Sequence, residues 1–347
     1  MEPRASIIIV TYNKREDITR CLQSVRETAY DAFEVIVVDN ASVDGSADAA
    51  AAFSEVTVVR SSENTGFGAG CNLGASRARG EHLVFLNPDT KVDPGWLKAL
   101  IKPLDARPLV GLVTSKILML NDPRHINTCG NTVHLTGLTL CRGLGAASEE
   151  FDRDEEVDAV SGAAFAIRRQ LFQSLGGFDE TMFLYMEDTD LSLRARLAGW
   201  ESRFAADSIV YHDYSLKMFP LKVFYQERNR YVMLLKNFKW LTLLVMLPAL
   251  IGAEVITWGF VLLYDRANSA NKLRAYQSVI DNWWTIMGSR RTAQAARRIR
   301  DHELLQRTSS KLELENAKQG SFARFAERII DPFFYVARML TLALVRW

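Results

Sequence analysis

Short apolar runs rich in Val and Ile alternate with helical patterns through the first 120 residues of the chain. In the intervening segments the apolar positions recur every three to four residues, as on one face of a helix. This alternation is typical of an α/β fold in which a mostly parallel sheet is covered by helices on both faces. The pattern predicts strands at 6–10, 34–39, 56–60 and 82–86, and helices at 15–26, 46–53 and 69–79.

The pattern continues to about residue 235 and then changes. Strands are predicted at 160–167 and 202–211, and a helix at 191–198 that Gly199 ends. Residues 241–264 then hold a single charged side chain, Glu254, and are long enough to span a bilayer. A proline and two glycines interrupt this segment, and Glu254 would lie near the bilayer centre at a cost of about 2.5–3.5 kcal/mol. A membrane span, an element in the plane of the membrane and a soluble dimer contact therefore stay open as alternatives.

Charge is divided unevenly along the chain. Residues 266–347 carry 15 Lys and Arg against 7 Asp and Glu, a net charge of +8, whereas the whole chain carries +1. The basic helical pattern 290–307 and the apolar segment 333–347, which ends in Trp347, suit an anionic lipid surface. A solvated helix face packed on the rest of the protein is the alternative. The acidic remainder of the chain argues against nucleic-acid binding.

The four cysteines have no CxxC spacing, and the N-terminus lacks the charged and then apolar stretch of a signal peptide. We therefore expect a reducing, cytosolic environment, plain buried or half-exposed thiols and no zinc finger.

Polar residues follow the predicted strands, at the edge where ligands bind in open α/β sheets. Thr11, Tyr12 and Asn13 follow the first strand, and Asp39 ends the second. A carboxylate at that position can accept hydrogen bonds from a nucleotide base or a ribose, although a turn-forming Asp is the alternative. The segment 64–70 resembles a dinucleotide fingerprint but lacks its spacing, so we expect only that its backbone approaches a ligand.

Asn87, Pro88 and Asp89 follow the fourth predicted strand, which is apolar enough to be buried. Because a hard cation on a diphosphate needs only one or two protein carboxylates, Asp89 could hold Mg²⁺ or Mn²⁺, and Asn87 offers a neutral oxygen. A plain turn is the alternative. His212 follows the last predicted strand and is either a metal or phosphate ligand or a structural histidine.

Three acids occur within four residues at Glu187, Asp188 and Asp190, before the predicted helix 191–198. Helix capping explains one or two of them. The apolar and aromatic residues 183–186, which include Tyr185, form a wall that could raise the pKa of a carboxyl group, as a general base needs.

In their order along the chain, these motifs resemble family 2 of the inverting glycosyltransferases, and in particular its bacterial rhamnosyltransferase-type branch. The resemblance covers residues 5 to about 235. It rests on the motifs SIIIVTYN, VIVVDNASVDGS, NTGFGAGCNLG, VFLNPDT, SGAAFAIRR, GGFDETMFLYMEDTDLSLR and VYHDYS.

The resemblance implies a GT-A catalytic domain over 1–235, with a nucleotide-sugar half at about 1–120 and an acceptor half at about 121–235. A helical, membrane-associating region then occupies 236–347. Asp39 would recognise a pyrimidine, and the nucleotide would be lined by Thr11, Tyr12, Asn13, Asn64, Gly66 and Asn87.

The resemblance also implies the catalytic roles. Asp89 stands where the family's aspartate-x-aspartate motif holds the cation, with Asn87 in place of the first acid, and His212 matches a histidine that completes the metal site. Asp188 maps onto the catalytic base, with Glu187 beside it. The acceptor or sugar vicinity would contain Gly162, Tyr185 and Asp190, of which Asp190 is either structural or acceptor-facing.

We therefore predict a glycosyltransferase that uses Mg²⁺ or Mn²⁺ and a dTDP- or UDP-linked sugar, with dTDP-rhamnose first. The expected acceptor is a lipid-linked saccharide. We expect the enzyme to be peripheral or monotopic at the cytoplasmic face of the cell membrane. A homodimer is an alternative assembly. The rival functions are a sugar nucleotidyltransferase and a non-catalytic sugar-nucleotide sensor or scaffold.

Overall fold

A computed structural model describes residues 2–213, 220–312 and 326–347. The end of the VYHDYS motif, residues 214 and 215, lies outside them. The chain forms two compact units, of which the first comprises Met1–Asn131, Cys141–Ala195 and Trp200–Ser215. The second comprises Thr132–Leu140, Arg196–Gly199 and Leu216–Trp347. The helix that begins at Pro220 belongs to the second unit, and the predicted domain boundary at residue 235 stays a prediction.

The strands of the described residues match the predicted apolar runs in the N-terminal half and add several that the pattern did not reveal. They are β1 Ala5–Thr11, β2 Phe33–Asp39, β3 Val56–Arg60, β4 His82–Leu86, β5 Thr90–Val92, β6 Val110–Met119, β7 Asp122–Thr128, β8 Asn131–Val133, β9 Thr139–Cys141, β10 Glu155–Glu156, β11 Ala164–Arg168 and β12 Glu201–His212.

The α-helices of the described residues fall between these strands and then follow them. They are α1 Arg15–Arg26, α2 Ser46–Ala51, α3 Phe67–Arg77, α4 Trp96–Ala106, α5 Arg169–Ser174, α6 Glu187–Leu197, α7 Pro220–Asn237, α8 Trp240–Tyr264, α9 Ser269–Asp281, α10 Trp283–Ala295, α11 Asp301–Gln306 and α12 Asp331–Leu344.

The main sheet has the strand order β10-β12-β6-β11-β4-β1-β2-β3, with β5 added to β12 and β7 to β6. Strands β4, β1, β2 and β3 are parallel, as predicted for the N-terminal half. The sheet as a whole is mixed, because β11 runs antiparallel to both β4 and β6. Register pairs Thr11 with Asp39 and Ile9 with Leu86, so the carboxyl ends of β1, β2 and β4 meet at one edge.

Close packing of α3 on its neighbours explains Gly68 and Gly70 of the segment 64–70, and also Gly74 after it. A Cβ atom at Gly74 would lie 2.5 Å from Cγ2 of Ile8, and one at Gly70 would lie 2.8 Å from Cγ1 of Val10. Helix α3 begins at Phe67 rather than at the predicted residue 69, so most of these glycines lie inside it. They let a helix approach β1, and only the start of the segment is free to face a ligand.

Two further predicted boundaries are wrong. The strand predicted at 160–167 begins at Ala164, because the amides of Val160 and Ser161 donate to side chains and Gly162 lies in a turn. The acids that begin at Glu187 lie in the first turn of α6 and do not precede it.

The basic pattern 290–307 does not form one helix. It breaks between α10 and α11, where Arg297 donates to the carbonyls of Asn237 and Ile299 and pairs with Asp301. Arg290 likewise donates to two carbonyls near the end of α7. Arg290 and Arg297, two of the residues that suit either a lipid surface or a packed helix face, therefore bind carbonyls of the protein.

Helix α8 runs without a break through Pro248. Within the part of the chain that the structure describes, it provides the one helix long and apolar enough to cross a membrane, with a mean hydropathy of 1.9 over Trp240–Leu263. Length and composition alone do not establish a span. The indole of the terminal Trp347 donates to Oγ1 of Thr242 on this helix, so its N–H is used inside the protein.

Candidate active site

Thr11 and Asp39, which are paired in register at the ends of β1 and β2, each have a buried polar atom without a hydrogen-bond partner among the described residues. Asp39 is 3% exposed, and its Oδ2 accepts from the amide of Ser42 at 3.2 Å. Oδ1 of Asp39 and Oγ1 of the neighbouring Thr11 make no hydrogen bond to any described residue. Because buried polar groups are almost always hydrogen-bonded, this pair is equipped to receive a polar ligand.

The loop after β1 is held in place by the loop after β2. Asn13 has a positive φ of 51°, its amide donates to Oγ of Ser42 at 2.9 Å, and its Oδ1 accepts from the amide of Val43 at 2.9 Å. The side chain of Tyr12, the residue between Thr11 and Asn13, is exposed. The side-chain oxygen of Asn13 is thus used to join two loops, which leaves the ring of Tyr12 as the group that can face a ligand.

Asn40, which we did not select from the sequence, organises the loop before α3. Its Nδ2 donates to Oδ1 of Asn64 at 3.1 Å and to the carbonyl of Gly66 at 2.9 Å. Its Oδ1 accepts from the amide and hydroxyl of Thr65. Asn64 also accepts from the amide of Gly66, so it shapes the loop. The position of Asn40 directly after Asp39 was the signal that could have revealed it.

The loop 183–186 has a strained backbone and touches the loop at Gly66. Phe183, Tyr185 and Met186 have φ values of 59°, 68° and 71°, a backbone region that residues other than glycine rarely adopt. The amide of Phe67 donates to the carbonyl of Phe183 at 2.7 Å. A Cβ atom at Gly66 would lie 2.4 Å from that carbonyl oxygen, so only glycine permits this contact.

Asp89 and His212, the two residues that the resemblance implies as metal ligands, lie close together. Nε2 of His212 lies 3.2 Å from Oδ1 of Asp89, and Nζ of Lys14 lies 4.0 Å from Oδ2. Burial raises the pKa of Asp89, but His212 and Lys14 outweigh burial and hold that pKa below its ordinary value. The carboxylate is therefore ionised at neutral pH.

The pair fits a divalent cation. Nδ1 of His212 lies 2.9 Å from Oδ1 of Asn127, so a proton held on Nδ1 would free Nε2 to bind a cation in place of its present contact with Asp89. Two ligands bound to one Mg²⁺ at about 2.1 Å and at right angles are about 3 Å apart, close to the separation seen here. The described residues contain no cluster of three or more His, Cys, Asp or Glu arranged for a metal. Substrate oxygens and water could supply further ligands.

Asp188 is held by donors from three places in the chain. Its Oδ2 accepts from the amide of Gly162 at 2.7 Å and from Nδ2 of Asn131 at 3.1 Å, and its Oδ1 accepts from the amide of Thr189 at 2.6 Å. Burial raises the pKa of Asp188, although these donors oppose the increase. The result is a rigidly oriented carboxylate of increased basicity.

Glu187 lies beside Asp188 in a drier setting. It is 6% exposed, and its Oε2 has no hydrogen-bond partner among the described residues. Burial, together with the charges of Asp188 and Asp190, raises the pKa of Glu187 to about 8. Because donors stabilise the carboxylate of Asp188 and none reaches Oε2, the pair holds one proton at neutral pH and Glu187 carries it. Burial and Glu187 also raise the pKa of Tyr185 to about 12.

Asp190 is used inside the protein. Its Oδ2 accepts from Nε of Arg194 at 2.8 Å, and both side chains are buried. The remaining guanidinium nitrogens donate to the carbonyls of Leu175 and Gly177. This geometry favours the structural alternative for Asp190 over an acceptor-facing role.

The pair Asp89 and His212 and the pair Glu187 and Asp188 are joined through neighbouring residues. The amide of Asn87, two residues before Asp89, donates to the carbonyl of Ala163 at 2.9 Å. The adjoining amide of Gly162 donates to Asp188. Strand β4 and the turn before β11 therefore bring the two groups to one region.

Comparison with known proteins gives this arrangement a family context. Residues 6–176 match the family model described as glycosyl transferase family 2. Uncharacterized protein y4gI of Sinorhizobium fredii is 31% identical over 226 residues, which are 60% of this chain but 24% of that protein. The N-acetylglucosaminyl-diphospho-decaprenol L-rhamnosyltransferase of Mycobacterium tuberculosis is 27% identical over 232 residues, 59% of this chain and 75% of that protein.

A similar fold occurs in the solved structure of the mannosyltransferase PcManGT from Pyrobaculum calidifontis. The two chains superpose with a TM-score of 0.53 at 18% identity, covering 99% of this chain and 88% of the other. At that identity the likeness establishes the fold alone.

Proposed function

The chain carries a glycosyl transferase family 2 domain and is a glycosyltransferase, and we propose that it inverts the anomeric centre of its donor with Asp188 as the base. The observation that supports this best is the hydrogen bonding of Asp188, fixed by three donors beside the protonated Glu187. A base needs defined geometry and a pKa above that of a free carboxylate, and this setting supplies both.

The proposed reaction is a single displacement. Asp188 takes the proton of an acceptor hydroxyl, the acceptor oxygen bonds to the anomeric carbon, and the bond from that carbon to the diphosphate oxygen breaks. The nucleoside diphosphate leaves with the electron pair of the broken bond. Asp89 and His212 would hold Mg²⁺ or Mn²⁺, which when bound neutralises charge on the leaving diphosphate. The protonated Glu187 limits the negative charge next to Asp188.

The proposed donor is a pyrimidine nucleotide sugar. Thymine and uracil carry an imide N–H, and the partnerless Oδ1 of Asp39 offers an acceptor for it. We place dTDP-rhamnose first, because one relative is an L-rhamnosyltransferase, and UDP-sugars second. A divalent cation is supported by PcManGT, which was solved with GDP-Man and Mn²⁺.

The proposed acceptor is a saccharide on a lipid diphosphate carrier at the cytoplasmic face of the membrane. The name of the M. tuberculosis relative describes an acceptor of this kind. Helix α8 adds an apolar element suited to such a location.

The two rival functions fit the site less well. A nucleotidyltransferase usually places a glycine-rich, basic loop directly after its first strand to hold a triphosphate, whereas Thr11, Tyr12 and Asn13 stand there. A non-catalytic sensor would not need a carboxyl pair that shares one proton.

A donor panel separates these functions. Purified full-length protein is given dTDP-rhamnose, UDP-sugars and GDP-mannose with Mg²⁺ or Mn²⁺, with and without a lipid-linked saccharide. We expect nucleoside diphosphate release that depends on the acceptor, and a product whose anomeric configuration is opposite to that of the donor by NMR. Pyrophosphate release would support the nucleotidyltransferase, and binding without turnover would support the sensor.

A further inference from the structure

The one charged side chain of α8 is neutralised by its neighbours. The carboxylate of Glu254 accepts hydrogen bonds from Arg230 and Tyr231 of α7 and from Tyr276 of α9. Nζ of Lys272, also on α9, lies 3.3 Å from it. An acid that looks misplaced in an apolar sequence is thus the meeting point of three helices.

A second acid completes this network. Glu227 of α7 accepts from Arg230 and from Lys272, each at 2.7 Å, and Lys272 also donates to Oγ1 of Thr257 on α8. Arg230 and Lys272 are each 1% exposed. Two acids and two bases therefore balance, and they fix α7 and α9 beside the middle and second half of α8.

This network argues against a membrane span. If α8 crossed a bilayer, its partner α9 would lie at the same depth, with Lys272 buried in the bundle and Arg274 exposed to lipid. A charged side chain that faces the hydrocarbon core costs several kcal/mol. Lipid therefore cannot surround helix α8 on all sides. One side of the helix can still contact the bilayer.

The free side of α8 is apolar. Leu244, Ile251 and Val255 are about two-thirds exposed, at spacings of seven and four residues that place them on one face of a helix. They lie on the helix that carries Glu254, whose carboxylate points to α7 and α9. The helix thus has one side in the protein and one largely exposed apolar side, at whose edge Ile251 and Val255 line a cavity with Tyr231 and Glu254.

Helix α12 extends this apolar side. Val336, Leu340 and Leu344 are exposed at spacings of four residues. Phe333 of the same helix packs so closely on α8 that a Cβ atom at Gly252 would lie 2.4 Å from its ring. We call the exposed stripes of α8 and α12 together the apolar face.

Basic residues stand at the ends of both helices. Lys239 precedes α8 and the exposed Arg266 follows it, while the exposed Arg328 and Arg346 flank α12. Long basic side chains can keep their charge in water or on lipid headgroups while the neighbouring apolar residues are buried. This charge pattern complements an anionic membrane.

We propose that the apolar face lies in the plane of an anionic membrane, sunk to the boundary between headgroups and acyl chains, and that neither α8 nor α12 crosses the bilayer. This in-plane arrangement rests on the membrane location given under the proposed function, but not on the transfer chemistry. It selects the in-plane alternative among the three that the sequence left open.

Flotation tests the face with a matched control. Full-length protein is mixed with vesicles of phosphatidylcholine, or of phosphatidylcholine with phosphatidylglycerol, at low and high salt. Val255→Glu combined with Leu340→Glu places two charges on the face at positions 68% and 59% exposed. Leu109→Glu alters an equally exposed residue of the first unit, at 62%. We expect about a tenfold loss of vesicle binding in the double variant, no change in the control, and a salt-sensitive part with anionic vesicles only.

Equal flotation of the double variant and the control would overturn the proposal. So would protein that never floats but forms a dimer that the double variant disrupts, because the face would then be a dimer contact. Hydrolysis of the nucleotide-sugar donor by the same variants should stay at the wild-type rate, which separates a failure of the membrane seating from a failure of the proposed enzyme activity.

Cysteine labelling distinguishes seating from spanning. Arg274→Cys places a thiol on the exposed side of α9, and a membrane-impermeant maleimide is added to vesicle-bound protein. Wild-type protein supplies the background, since Cys141 is the one native cysteine that is not buried. We expect Arg274→Cys to react as fast on vesicles as in solution. Protection by more than about tenfold would show that α9 lies in the bilayer and would refute the in-plane arrangement.

Discussion

Replacing Glu187 by Gln should change how the stability of the protein depends on pH. The buried carboxyl group keeps its proton in the folded protein up to a pKa of about 8, whereas the ordinary value is 4.5. Between these values the folded state binds more protons than the unfolded state, so the wild-type protein loses stability as the pH rises. The amide that replaces the carboxyl group has no such proton to lose, and that loss of stability should disappear.

The magnitude follows from the width of this interval. Each pKa unit corresponds to about 1.4 kcal/mol, so Glu187 alone should cost the wild-type protein on the order of 4 kcal/mol between pH 5 and pH 8. The variant and the wild type should therefore be similarly stable at pH 5. At pH 8 the variant should be clearly more stable.

Urea unfolding followed by tryptophan fluorescence at pH 5, 6, 7 and 8 measures this difference. Glu63→Gln is the matched control, because it makes the same Glu-to-Gln change at an exposed position before α3. Its pH dependence should follow the wild type. Parallel curves for Glu187→Gln and the wild type would refute the conclusion that Glu187 holds a proton at neutral pH.

Three further substitutions test other parts of the site. Asn131→Leu removes a donor to Asp188, so the acidic limb of the pH profile of kcat/KM should move upward by about one unit. Gly66→Ala should lower the melting temperature more than Gly176→Ala does, because both positions have positive φ but only Gly66 would clash with backbone. His212→Ala should raise the Mg²⁺ or Mn²⁺ concentration needed for half-maximal rate by about tenfold or more.

Each of these expectations has a contradicting outcome. An unshifted pH profile for Asn131→Leu would mean that its amide does not act on the base. Equal losses at Gly66 and Gly176 would mean that the contact with Phe183 is not tight. Unchanged metal titration and rate for His212→Ala would return this histidine to a structural role.

The strand-end residues of the site were predictable from local sequence. Apolar runs of strand length end directly before Thr11, at Asp39 and before Asn87, and parallel strands bring such ends to one edge of a sheet. The pairing of Asp89 with His212 was expected as well, although from the family resemblance and not from spacing. These features depend on order along the chain and on one general rule of sheet topology.

The groups that tune the carboxyl pair were not predictable in this way. Asn131 is separated from Asp188 by 57 residues, and its amide reaches that carboxylate through the fold. Asp190 differs from Asp188 by two positions, yet it meets Arg194 one helical turn later and becomes a buried ion pair. Contacts of this kind, with residues distant in the sequence or one helical turn away, decide which of several adjacent acids faces the substrate.

The partners of Glu254 were not predictable for the same reason. In the sequence it is an isolated charge in an apolar segment, with an expected cost near the centre of a bilayer. The basic partners Arg230 and Lys272 lie on the helices before and after α8, and a hydropathy pattern contains no information about their contacts. The role of the arginines of 290–307 stayed open in the sequence for the same reason, because the carbonyl acceptors of Arg290 and Arg297 lie near the end of α7.

The most direct test of the account compares Asp188→Asn with Glu187→Gln in acceptor-dependent release of nucleoside diphosphate. Both substitutions keep the shape of the side chain and remove an ionisable group, so they separate the base from its protonated neighbour. We predict that Asp188→Asn binds the donor normally but transfers sugar at least about 100-fold more slowly, and that Glu187→Gln stays within about tenfold of the wild type. Turnover of Asp188→Asn within about threefold of the wild type, with Glu187→Gln inactive, would contradict the assignment and make Glu187 the base.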